Sequence, residues 1–133
     1  MIKQIFEVEH YWEVIVYYDL NFDLFNDVIL EMRKIDATAD SIYEVYDMLA
    51  KDKVKAATYS NLEKHISLVL FNSHDSQEDY LNSIVHEAEH VKQAMLQAYQ
   101  IEDKGEPPAY TIGYLVGQMY QVFKDIVCNC SSN

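Results

Sequence analysis

A chain of 133 residues is one domain's worth of polypeptide, long enough to bury a core without disulfide or metal support. Half of its residues are hydrophobic and 13% are aromatic, which excludes a disordered segment. With 10 Lys plus Arg against 22 Asp plus Glu the net charge is −12. The chain therefore lacks the basic stripe of a phosphate-tracking nucleic-acid binder, and an anionic membrane surface would repel it.

The N-terminus, Met1 to Glu7, lacks the apolar core and small-residue cleavage site of a secretory signal. No apolar run approaches the ~20 residues of a membrane span, so a cytoplasmic protein is expected. All three glycines and both prolines lie beyond residue 104, so periodicity must assign the rest. His10 to Tyr18 is rich in β-branched and aromatic residues and reads as a strand. Asn21 to Arg33 carries Phe22, Phe25, Val28, Ile29 and Met32 at helical spacing. Ala37 to Lys51 repeats that pattern through Ile42, Val45, Tyr46 and Leu49, with Asp40 or Ser41 as the cap.

Val54 to Ser60 and His65 to Phe71 read as two strands of a hairpin turning at Asn61-Leu62-Glu63. Ser76 to Gln100 is the longest helical pattern, capped by Ser76 with Asp79 three residues later. Asp103-Lys104-Gly105 breaks it, and Pro107-Pro108 suits the first turn of a last helix reaching about Val127. Cys128 and Cys130 are too few for a disulfide framework and read as free thiols of a reducing compartment. With no repeat or linker, residues 1–133 form one α+β domain, a small antiparallel or mixed sheet with helices packed on it.

The long helix contains His86-Glu87-Ala88-Glu89-His90, a His-Glu-x-x-His pattern. Positions i and i+4 differ by ~6 Å of rise and ~40° of rotation, so both imidazoles can reach one ion. Tetrahedral zinc takes such nitrogen ligands, and the intervening Glu87 stands where it can polarise a bound water. On the helical wheel Leu81, Ile84, Val85, Ala88, Val91, Met95 and Ala98 form one stripe, with His86 and His90 near the opposite side. That position disfavours a core role for the histidines and leaves a solvated polar face as the rival. His10, His65 and His74 have no ligand spacing and read as structural or solvated.

A catalytic zinc needs a third protein ligand. Glu106, sixteen residues after His90, opens the last helix, while Glu102 and Asp103 in the connecting turn are rivals that spacing does not exclude. Tyr110, Gly113, Tyr114 and Gly117 continue the face of Glu106. Two glycines on one helical face suggest the close approach of a backbone or substrate, or a tight helix contact.

Ile84-Val85-His86-Glu87-Ala88-Glu89-His90 together with Gly105-Glu106-Pro107-Pro108-Ala109-Tyr110-Thr111-Ile112-Gly113-Tyr114 resembles the gluzincin branch of zincin metallopeptidases. More narrowly, it is similar to small uncharacterised zincin-like proteins of bacteria and their phages. The resemblance covers about the last half of the chain. It implies a zincin-like fold, Zn2+ held by His86, His90 and Glu106, and Glu87 as general base. It also implies that the strand His65 to Phe71 is the edge strand that pairs with an extended peptide. From their place on the helical face of Glu106, and not from the resemblance, Tyr110 or Tyr114 would be the hydroxyl that steadies the oxyanion. The chain departs from the usual zincin pattern at Glu89 and Lys92, where uncharged or apolar residues are common.

The expected activity is zinc-dependent hydrolysis of a peptide or protein substrate. The alternatives are a catalytically inactive zincin-like interaction protein and, from composition, an acidic protein that occupies a basic partner.

Overall fold

The computed structural model describes the backbone of residues 2–131 and the side chains of residues 2–128, so the side chain of Cys130 lies outside the described residues. Two hairpins supply the sheet. The first joins β1 (Ile2–Val8) to β2 (Trp12–Leu20), antiparallel from Ile2 opposite Tyr18 to Val8 opposite Trp12. Its turn places Glu9 and His10 at φ 52 and 67, with the Tyr11 amide donating to the Val8 carbonyl at 3.3 Å. Two successive left-handed residues define a type I′ turn, normally the place of Asn-Gly. Without that signature β1 is not legible in the sequence, and His10 belongs to the turn rather than to a strand.

After β2 come a short 3₁₀ turn at Phe22–Leu24, α1 (Phe25–Lys34) and α2 (Ala39–Lys51). Thr38, rather than Asp40 or Ser41, caps α2, its side chain accepting from the Ser41 amide at 3.1 Å. The second hairpin is β3 (Ala56–Asn61) and β4 (Ile66–Asn72), turning at residues 62–65, where Asn61 Oδ1 accepts from the Glu63 and Lys64 amides. Helix α3 (Gln77–Tyr99) starts at Ser76, whose hydroxyl accepts from the Asp79 amide, and α4 (Glu106–Ser131) starts just ahead of its two prolines.

The sheet order is β1-β2-β4-β3, with β2 and β4 parallel and both outer pairs antiparallel. The strand at 66–72 is therefore central and β3 is an edge, which corrects the expectation of an edge strand at His65 to Phe71. Central strands are covered on both faces, so β2 and β4 read as almost continuous apolar runs. One face packs Ile15, Tyr17, Leu68 and Leu70 against Val28 and Met32 of α1 and Val45 and Met48 of α2. The other packs Val14, Val16, Val69 and Phe71 against Ile84, Ala88 and Val91 of α3 and Leu115 and Met119 of α4. Leu81 and Val85 fall outside the buried stripe at 37% and 46% exposure, and Tyr80 takes their place inside.

Helices α3 and α4 run antiparallel. Tyr80, near the start of α3, meets Phe123 of α4 at a ring separation of 5.6 Å, while Met95, Leu96 and Tyr99 share a groove with Pro107, Tyr110 and Thr111. Helix α3 lies on the β3 side of the sheet and α4 on the β1 side, where the Gln4 side chain donates to the Gln118 carbonyl at 2.9 Å. No described helix is long and apolar enough to cross a membrane.

Candidate metal site on helix α3

His86 and His90 are exposed and one helical turn apart, and their Nε2 atoms approach to 3.2 Å with the rings at 74°. A tetrahedral ion held at 2.0–2.1 Å by two nitrogens sets those nitrogens about 3.3 Å apart. The imidazoles therefore stand at chelating separation. Without an ion the same distance suits one ring donating N–H to the other.

Glu87 lies on the other side of the turn. It shares the three- and four-residue spacing of Ile84 and Val91, so packing of α3 on the sheet carries it inward, to 5% exposure. Its Oε1 accepts from the Thr58 hydroxyl of β3 at 3.0 Å, and its Oε2 stands 4.0 Å from His86 Nε2. A buried carboxylate requires such a donor. Thr58 carried no sequence signal of its own, because only the side-by-side packing of β3 and α3 makes it a neighbour of residue 87.

The two departures at Glu89 and Lys92 answer to each other. Lys92, 7% exposed, reaches Glu89 at 2.7 Å and Asp103 at 3.0 Å. Burial opposes its charge, but the two carboxylates outweigh that and hold its pKa above the ordinary 10.5. Glu89 is thus turned to its own cation, and Asp103 is tied to the same lysine. Glu102 pairs with Lys104 at 2.9 Å.

Glu106 is exposed at the first position of α4, beside the end of α3. His90 precedes Tyr99 by two and a half turns, ~13 Å of rise. The fold does not bring Glu106 to the histidine pair, and among the described residues no three His, Cys, Asp or Glu side chains gather around one point. The histidine pair stands without Glu106 as a third neighbour.

Tyr110 and Tyr114 lie away from the pair as well. They border a groove of about 410 Å³ with Glu7, Val8, Glu9 and His10, and the Tyr114 hydroxyl donates to the Glu7 carbonyl at 2.9 Å. That is the β1 side of the sheet, whereas Glu87 contacts β3. A Cβ at Gly113 or Gly117 would meet nothing within 4 Å, so neither glycine serves a close approach of another part of this chain.

The remaining histidines have structural partners. His74 Nδ1 lies 2.7 Å from the Asn72 carbonyl and Nε2 2.8 Å from the Ser83 hydroxyl, and its ring stacks on Tyr80 at 4.2 Å. Because a carbonyl only accepts, Nδ1 carries the proton and the Ser83 hydroxyl donates to the neutral ring at Nε2. His65 stacks on Trp12 and meets the Tyr99 hydroxyl at 3.0 Å. His10 is exposed, 3.6 Å from Glu7.

No protein-family model, curated protein or solved structure matches this chain.

Proposed function

We propose that this chain is a zincin-like, zinc-dependent hydrolase of peptide bonds, with His86 and His90 as protein ligands and Glu87 as general base. One observation carries the reading: two imidazole nitrogens at chelating distance, with a buried carboxylate 4.0 Å from the nearer one. A divalent ion there would supply a water acidified toward a pKa of about 7. Glu87 Oε2 stands 4.0 Å from His86 Nε2 while Oε1 is held by Thr58, so the free oxygen could take a proton from a water held there and return it to the leaving amine. Burial keeps that carboxylate from competing bulk water.

Catalytic zinc sites ordinarily have three protein ligands; His86 and His90 are the two that this fold brings together, and a third would have to come from water or substrate. Two imidazoles hold zinc less tightly than a complete three-ligand set. Calorimetric zinc titration of the purified protein should give one ion per chain, with affinity falling at least ~10-fold in either His86→Ala or His90→Ala. Glu87→Gln should bind zinc as the wild type does and hydrolyse nothing. Glu106→Gln should leave binding unchanged; loss of zinc in that variant would restore the gluzincin ligand set. Equal binding by wild type and His86→Ala would end the metal reading altogether.

The position of Glu106 favours one second reading, a zincin-like scaffold that binds a partner without catalysis. Full activity of the Glu87→Gln variant in the cell would select it.

A further inference from the structure

We propose that Thr58, on the edge strand β3, is the positioning residue of Glu87, an inference that rests on reading Glu87 as the general base. The side chains of β3 alternate, so Ala57 and Tyr59 pack with α2 and leave Thr58 on the side of α3. The neighbouring hydroxyl on that side, Ser60, is already engaged with Ser67 at 2.7 Å. Thr58 is the hydroxyl that meets Glu87, at 3.0 Å. A β-branched side chain has few χ1 choices, so the direction of its Oγ1 is set by the strand.

The consequence is a division of labour between the two carboxylate oxygens. Oε1 is anchored to β3, and Oε2 is thereby aimed at the side where His86 stands. A glutamate has three rotatable bonds, and without an anchor the carboxylate would turn toward water, where it is better solvated. Thr58 therefore ties the proton-accepting atom to the strand along which an extended substrate would lie.

Thr58→Val keeps the shape and removes the donor, whereas Thr58→Ser keeps the donor and removes a methyl. Crystal structures of the metal-free proteins should show the Glu87 carboxylate in place in wild type and Thr58→Ser and swung away in Thr58→Val. Zinc affinity should be the same in all three, since the imidazoles do not depend on β3. With zinc-loaded protein and fluorescein-labelled casein as the probe, Thr58→Val should lower kcat by ~10-fold or more at unchanged KM, and Thr58→Ser should recover most of it. An unmoved Glu87 in Thr58→Val, or a serine variant as impaired as the valine variant, overturns the proposal. If Thr58→Val does not fold, Thr58→Ala provides the same comparison. A wild type that leaves casein intact counts against the peptidase reading alone, because the side-chain position of Glu87 still decides the role of Thr58.

Discussion

His74 shows how a single half-buried ring ties stability to pH. Burial lowers its pKa from the ordinary 6.5, with Lys55 adding to the effect and the Asn72 carbonyl opposing it. A histidine held neutral in the fold binds fewer protons than the same residue in the unfolded chain. Its contribution is therefore complete above the unfolded pKa of about 6.5 and declines as pH falls below it. Urea midpoints measured at pH 7.5 and pH 5 should fall with acid in the wild type, and the difference should shrink in His74→Gln. Lys92 is itself buried but paired with carboxylates that remain 39% and 46% exposed. Lys92→Met should cost about 1 kcal/mol, between the small value of a surface pair and the larger one of a fully buried pair. Equal denaturation midpoints for the two proteins would show that Asp103 needs no anchor.

Among the elements, the caps and turns are where sequence and structure can be compared most directly. Ser76 satisfies the Asp79 amide of α3, so Ser76→Ala should cost about 1 kcal/mol by chemical denaturation. At the β1–β2 turn, by contrast, Glu9 and His10 occupy left-handed backbone without a glycine. Replacing the pair by Asn-Gly relieves that strain and should raise stability by about 1 kcal/mol, visible as a higher melting temperature. The presence of α1 to α4 follows from apolar spacing, a local property, while the predicted cap is met only at Ser76 of α3; α1 starts at Phe25 without a side-chain cap and α2 is capped by Thr38. Strand β1 does not follow from spacing, because its turn uses residues that carry no turn preference, and its solvent-facing positions are mixed in character.

At the scale of the molecule, the sheet is sandwiched between α1 and α2 on one face and α3 and α4 on the other. Ile84 is fully buried in the second interface and lies two residues before His86, so Ile84→Ala should cost about 2–5 kcal/mol and weaken zinc binding through loss of helix register. A variant that loses stability yet binds zinc as before would show that the histidine pair is self-sufficient on its helix. What the chain by itself determined is what nearest neighbours along a helix determine: an α+β composition, a capped helix from Ser76, and two imidazoles one turn apart with a glutamate between them. What only the tertiary structure decided is everything set by partners distant in sequence. The parallel pairing of β2 with β4 made β3 the edge, the packing of α3 on β3 gave Glu87 its threonine, and the straight run of α3 past His90 carried Glu106 out of reach. A spacing of sixteen residues fixes no distance until it is known how many of them the helix consumes.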